Sequence, residues 1–419
     1  MHSPWQAVEP LRGDGFACFR RRAIFECSKF DMQTGDVCTL SPRPIVIGQQ
    51  TWTELSKMAE ALALETAAAQ AELAVRPALH KPLALPCRIL KQLALAAAEP
   101  APAQHVQVIR FDFHYTRKGW QISEANTDVP GGYTEASALT QLVREFYPSL
   151  SAAGNPARSL GETISRNMDK QGAVALVHST AFTDDRQAML CLARELRALG
   201  LTGQLLSPDH LTWDGGRAWI RTDWHSGPAS FVFRFFPAEW LLNLKRATGW
   251  PHFFHGALTP LCNSGAALLT QSKRFPLVWG ELNTALPTWR RLMPETQALH
   301  EVNWRTDEEW VLKPALGRVG EMIGLRGVTG ARKWEEIYKS VQHHPEHWVA
   351  QRRFEAIPLE TEDGPLYPCL GIYTINGRAA GAYGRLARVP LIDQYAQEAA
   401  VLLRLETEGR SQSILYGQN

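Results

Sequence analysis

Arg110-Phe-Asp112-Phe-His-Tyr-Thr-Arg-Lys118-Gly119-Trp120-Gln-Ile-Ser-Glu124-Ala-Asn126 reads as two strands joined by a tight turn. From Val106 onward apolar and polar residues alternate with the period of two that marks a strand with one buried face. Lys118-Gly119 supplies the turn, since glycine enters the left-handed backbone region without steric cost. Glu124 and Asn126 lie two residues apart and project from one face of the returning strand, with Asp112 on its partner.

Two carboxylates and an amide oxygen converging on one hairpin suit a hard divalent cation. Mg²⁺ prefers oxygen ligands and is usually held by one or two carboxylates together with substrate phosphates. Arg110 stands beside them and can face anionic oxygens. Taken alone, the pattern is equally that of acids on the solvated face of a hairpin. The loop that follows, Thr127-Asp-Val-Pro-Gly131-Gly132-Tyr133, tips the reading toward a ligand site, because its glycines let backbone approach a bound molecule.

Outward from the hairpin, the first fifty residues mix short apolar runs with turn signals and predict strands and loops. Residues 51–75, rich in Ala, Leu and Glu, predict a long helix ended by Arg76-Pro77. A second Ala-Leu helix is expected near 88–98, before a break at Glu99-Pro100-Ala101-Pro102, and another helix over 134–145. Residues 172–206 read as strand, helix, Gly200 stop and strand, one βαβ unit of a parallel sheet. Asp214-Gly215-Gly216 and Asn376-Gly377 predict hairpins, and Phe231–Phe236 a short apolar strand. The fold class is α/β, without internal repeats.

Three further stretches carry chemistry. Trp310-Val-Leu-Lys313-Pro-Ala-Leu-Gly317-Arg318-Val-Gly320 ends a strand with a lysine and enters a glycine-containing loop, which suits phosphate but also an ordinary surface turn. Lys273 is a second candidate cation for nucleotide phosphates, or a lysine exposed at a helix end. Gln351 falls on a strand, and Arg385 and Arg388 are expected where a strand meets a loop, to face a phosphoryl group or pair with a surface acid.

Bulk properties exclude several classes. The chain has 419 residues, enough for two or three packed units, and 44 basic against 42 acidic residues, so no overall field draws nucleic acid or an anionic membrane. The sequence has no apolar run of about 18 residues and no secretory pattern at its start, which gives the expectation of a cytoplasmic protein. Seven scattered cysteines lack disulfide or CxxC spacing and read as reduced, mostly buried thiols, with a packing role for Cys369. The histidines show no HExxH, and no GxSxG elbow or kinase HRD and DFG motif occurs.

On Phe30-Asp-Met-Gln-Thr-Gly-Asp-Val, Arg110-x-Asp112 with Glu124-Ala-Asn126, Lys313-Pro with Gly317-Arg318, Gln351 and Gly381-x-x-x-Arg385, the chain resembles the synthetase half of glutathionylspermidine synthases and stand-alone bacterial proteins similar to it. The resemblance implies an ATP-grasp fold of the permuted glutathione-synthetase-like type with a pre-ATP-grasp Rossmann-like unit. Residues 1–150 and 351–419 would form the two parts of the core, 151–260 the Rossmann-like unit and 261–350 the lid and nucleotide-binding region. It further implies Mg²⁺ on Asp112, Glu124 and Asn126, ATP on Lys273, Lys313, Gly317 and Gln351, and Arg110 and Arg385 as catalytic residues. The implied activity joins a small-molecule carboxylate, such as a peptide or amino acid, to an amine, polyamines included. No nucleic acid or membrane partner is implied, and a homodimer is compatible with it. A nucleotide-binding module that has lost the activity is the competing reading. Two features depart from the bifunctional enzymes: the amidase half has no counterpart, and the loop after Asn126 runs Thr-Asp-Val-Pro-Gly-Gly-Tyr where glutathione-using members place small hydroxyl residues.

Overall fold

The structure is a computed structural model that describes residues 3–98, 105–168, 172–317, 320 and 322–405. The expected break at Glu99–Pro102 and Arg318 lie outside the described residues. Where strands and loops were expected, Gly13–Cys27 forms a helix, α1. Its buried stripe is only Phe19, Ala23 and Cys27, four residues apart, and the run Arg20-Arg21-Arg22 between them masks the period in the sequence. The stripe packs on Leu139, Leu142 and Val143.

Strand β1 (Ile45–Gly48) leads into helix α2 (Gln49–Ala74), close to the expected 51–75. Leu55, Met58, Ala59, Leu62, Ala63, Thr66, Ala69 and Leu73 form its buried face at helical spacing, with three alanines that let it lie close to a sheet. Helix α3 (Cys87–Ala98) follows, then the hairpin of β2 (Val108–Thr116) and β3 (Gly119–Asn126). The helix expected over 134–145 is present as a π-helical turn, Glu135–Leu139, continued by Thr140–Phe146.

The βαβ unit is β4 (Ala173–His178), α4 (Thr183–Ala198) and β5 (Gly203–Leu206), with β6 (Ser226–Phe235) as a further strand. Both β5 and β6 pair with β4 in parallel. Farther on come β7 (Trp310–Pro314), helix α5 (Ala331–His343) and β8 (Trp348–Arg352). β7 and β8 form a small antiparallel sheet with Thr296–Ala298, and Trp304, Leu312, Ile337 and Trp348 make its own core. The chain returns through β9 (Tyr367–Ile375), β10 (Arg378–Ala387), β11 (Gln397–Ala399) and β12 (Val401–Arg404). Asn376-Gly377 makes the turn between β9 and β10, both residues at positive φ as its chemistry demands.

A five-stranded antiparallel sheet in the order β11-β10-β9-β2-β3 is the centre of the molecule. Its strands come from two distant parts of the chain. Helix α2 covers one face against Phe111, Phe113, Ile122, Leu370 and Ile372. The other face carries charge.

A buried ion pair ties the loop after β3 to the parallel sheet. Arg234 of β6 donates to Asp128 at 2.5 Å, and neither side chain has any solvent exposure. Other guanidinium hydrogens go to the Asn263, Phe236 and Ser264 carbonyls, and the second Asp128 oxygen accepts from Ala238 N at 3.1 Å. Removing one partner of such a pair strands the other charge, at a cost of about 3–5 kcal/mol. Arg234→Met is therefore expected to lower the free energy of unfolding by that amount in urea titrations, with part of the loss recovered when Asp128→Leu is added.

Candidate active site

Strand β2 shows how local pattern builds the site. Its odd positions Ile109, Phe111 and Phe113 enter the core under α2, while Arg110, Asp112 and His114 face a cavity of about 750 Å³. Along β3, Trp120 and Ile122 enter the same core, yet Glu124 and Asn126, also even-numbered, face the cavity. A register shift between Asp112 and Phe113 accounts for the change of face: Asp112 pairs with Glu124 but Phe113 pairs with Ile122. Ser123 is the extra residue of a β-bulge, and it moves the polar end of the strand onto the cavity side.

The bulge also frees a carbonyl. Lys313, at the end of β7, donates to Ser123 O at 3.0 Å and to Gln351 Oε1 at 2.6 Å. Gln351 is fixed in turn by donating to Thr296 Oγ1 at 3.1 Å. Burial lowers the Lys313 ammonium to about 8, against the pull of Glu124. His114 donates to or accepts from Ser123 Oγ at 3.1 Å, and burial, with Lys313 adding to it, lowers its imidazole to about 3. The ring is therefore neutral at physiological pH.

Lys273 bridges Glu124 Oε2 and Gly317 O, both at 2.9 Å. It is a buried lysine, not the exposed helix end that was one reading of the sequence, and Gly317 offers it a carbonyl. Burial would raise the Glu124 carboxyl, but Lys273 and Lys313 hold it well below the usual carboxylate range.

Arg110 grips Asp112 with two bonds, Nε to Oδ1 at 2.7 Å and Nη2 to Oδ2 at 2.9 Å, and donates its third to Gly131 O at 2.7 Å. Asn126 Nδ2 reaches the same Asp112 Oδ2 at 3.2 Å. Burial works against the guanidinium charge, yet Asp112 raises the Arg110 pKa well above its ordinary value. The pair lies flat over β9 because Gly371 is opposite: a Cβ there would stand 2.7 Å from Arg110 Cδ and 3.0 Å from Asp112 Oδ1.

Arg385 lies within β10, two residues before its end, and donates to the Asp393 and Ala396 carbonyls, while its Nε is buried without a partner. The Tyr383 ring stands between the two arginines, 5.1 Å from Arg110 Cζ and 5.9 Å from Arg385 Cζ. Gly320, at positive φ, packs against the Ile392 carbonyl, where a Cβ would be 2.3 Å away, so the loop after β7 closes on the segment beyond β10. Cys369 faces the cavity, but burial raises its thiol well above the ordinary value, which fits packing and not nucleophilic attack.

Against this geometry stand the comparisons. Residues 45–403 match the model of a family described as glutathionylspermidine synthase preATP-grasp. The chain belongs to that family. No curated protein matches it. A glutathione synthetase-like effector from Globodera pallida, solved in its apo form, shares 12% identity with a TM-score of 0.63, covering 95% of this chain and all of that one. This likeness shows the fold, which is that of glutathione synthetase-like ATP-grasp proteins. A protein from Methylobacillus flagellatus KT titled a putative gamma-glutamylcysteine synthetase aligns over 81% of this chain and 86% of its own, at 12% identity and a TM-score of 0.39. That family is one of ATP-grasp-type ligases.

Of the residues selected from sequence, Arg110, Asp112, Glu124, Asn126, Lys313, Gln351 and Arg385 line the same cavity, Lys273 joins it through Glu124, and Gly317 through Lys273. Ser123, His114, Gly371 and Tyr383 were not selected. The change of phase between Ile122 and Glu124 was the available signal for the bulge. A second group, Lys29, Glu135, Asp184 and Glu398, lines the same cavity. It is drawn from four distant segments, and no local pattern announces it.

Lys313 gives the site a titration to measure. With ¹³C-labelled lysine, NMR should show one side-chain resonance with a midpoint near 8, absent from the Lys313→Arg protein. Because the folded pKa is depressed, the folded chain releases this proton before the unfolded chain does. The buried charge is thus relieved, and the fold gains stability, as pH rises from about 8.

Proposed function

We propose that the chain is an ATP- and Mg²⁺-dependent ligase that activates a small-molecule carboxylate as an acyl phosphate and joins it to an amine. The observation that carries this reading is the cavity on which Lys313, Arg110, Arg385, Asp112, Glu124, Asn126 and Gln351 meet, with Lys273 paired to Glu124 at its wall. Their mutual pairing explains the proposal. Arg110 and Lys273 now neutralise Asp112 and Glu124, and nucleotide phosphates are the ligand for which those cations could exchange their carboxylates.

Among the described residues no cluster of three or more His, Cys, Asp or Glu could hold a metal by itself. Two carboxylates and the Asn126 amide nonetheless fit Mg²⁺ that arrives on phosphates, since such an ion needs only one or two carboxylates from the protein. Asp112, Glu124 and Asn126 would hold it. Bound there, it would offset charge on the phosphate oxygens.

The remaining groups act by position and charge. Lys273 and Lys313 would bind phosphates, with Gln351 and the Ser123 carbonyl aiming Lys313. The carboxylate attacks the γ-phosphorus and ADP leaves. The amine then attacks the acyl phosphate, and Arg110 and Arg385 stabilise the tetrahedral oxyanion and the departing phosphate through fixed donors. The free Nε of Arg385 has a hydrogen available for that purpose. Peptides or amino acids as carboxylates and polyamines or simpler amines as acceptors are the classes to test.

Mg²⁺-dependent ADP release, screened across pools of peptides, amino acids and amines, tests the reading. Stimulation that requires both a carboxylate and an amine is expected, and Asp112→Ala should abolish it in a protein that still folds but melts at a lower temperature, because Arg110 loses its partner. ATP binding without stimulated release would favour a nucleotide-binding module that has lost the activity. Lys313→Ala is expected to weaken ATP binding by about 2–3 kcal/mol in calorimetry, the worth of a charge-assisted contact. Unchanged affinity would remove Lys313 from the nucleotide site.

A further inference from the structure

Also lining the cavity, Glu398 and Glu135 flank Lys29, which lies 2.7 Å from Glu135 Oε1 and 2.9 Å from Glu398 Oε2, with Asp184 at 4.0 Å. The Lys29 side chain is 3% exposed, and Glu398 keeps 17% exposure and lines the cavity. Position singles out Glu398 among these acids. It stands on β11 directly opposite Arg385 of β10, and Tyr383 Oη is 3.5 Å from Glu398 Oε1. Directly opposed cross-strand residues have Cβ atoms roughly 5 Å apart. Glu135 is paired with Lys29 and stands on no strand beside Arg385, and the Asp184 side chain is 74% exposed.

We infer that Glu398 is the general base that takes the proton from the attacking amine, with Lys29 and Glu135 positioning its carboxylate. The inference rests on the ligase reading above. An alkyl amine enters as its ammonium ion, whose nitrogen has no free electron pair. The Glu398 carboxylate accepts one proton, and the freed pair forms the C–N bond at the acyl carbon. As the intermediate collapses, the C–O bond to phosphate breaks, and the second nitrogen proton leaves with inorganic phosphate. Arg385, one strand away, is placed to meet that phosphate while Glu398 meets the amine.

The surroundings suit this role. Burial, reinforced by Glu135 and opposed by Lys29, raises the Glu398 carboxyl above the usual carboxylate range. A base is most effective when its pKa is near the working pH. Lys29, Glu135, Asp184, Tyr383 and Arg385 are the titratable and charged groups that face it. Thr134, 1% exposed and lining the cavity beside Glu135, has a hydroxyl with no partner, which leaves a polar atom for the incoming nitrogen.

The test uses two acceptors that differ in protonation. Hydroxylamine is largely a free base at neutral pH, whereas ethylamine and spermidine are protonated. With ATP, Mg²⁺ and the twenty amino acids plus glutathione as carboxyl donors, wild type should form hydroxamate and alkyl amide. Glu398→Gln should lose about 10²-fold or more in kcat with the alkyl amines. Its rate should climb with pH as free amine accumulates, where wild type levels off. Hydroxylamine should restore turnover to within a few-fold of wild type, and Glu398→Asp should retain more alkylamine activity than Glu398→Gln. Equal losses with both acceptors at every pH would assign Glu398 a structural role and overturn the inference while the ligase reading stands. Absence of hydroxamate from wild type with every donor would overturn the ligase reading and this inference with it.

Discussion

The β-bulge at Ser123 is the constraint on which the rest of the site depends. A strand that alternated strictly would send Glu124 to the side occupied by Ile122, into the core beneath α2. One inserted residue reverses the parity. Glu124 and Asn126 then join Asp112 on the open face, and the carbonyl left out of the ladder becomes the acceptor that orients Lys313. The central sheet thus keeps a dry face and a charged face along strands whose residues are mostly buried on both.

Burying so many charges is tolerable because most have a partner of opposite sign at short range, while Lys313 and Arg385 donate to neutral oxygens. Arg110 answers Asp112, Lys273 answers Glu124, Lys29 answers Glu135 and Glu398, and Arg234 answers Asp128. The first three of these pairings lie around the cavity and the fourth behind it, away from solvent. Pairs of the first kind can exchange partners when an anion or cation arrives. The Arg234–Asp128 pair has no exposure and serves as a fixed post for the loop that carries Gly131, the acceptor of Arg110.

Much of this was legible in the sequence where the chemistry is local. Alternation and the Lys118-Gly119 turn marked the hairpin, Ala-Leu periodicity marked α2 and α3, Asn376-Gly377 marked β9 and β10, and the quoted motifs marked the family. Helix α1 escaped because its stripe is one residue wide and interrupted by three arginines. The bulge escaped because a period-2 reading assumes constant phase. Gly371 carries no side chain to notice, and its meaning appears only when Arg110 is seen lying across it. The Lys29 group has no sequence signature at all, because its members are neighbours only after folding.

The strand order of the central sheet has a consequence for synthesis. β2 and β3 lie in the first third of the chain, but their sheet is completed by β9, β10 and β11, while β1 waits for β12 as its parallel partner. As the chain leaves the ribosome, the βαβ unit can find its own partners early. The hairpin at residues 108–126 must meanwhile stay without its neighbours until some 250 further residues have been made. Contacts of such long sequence separation close slowly, so the nascent chain carries an apolar hairpin in need of shielding until nearly the whole protein has emerged.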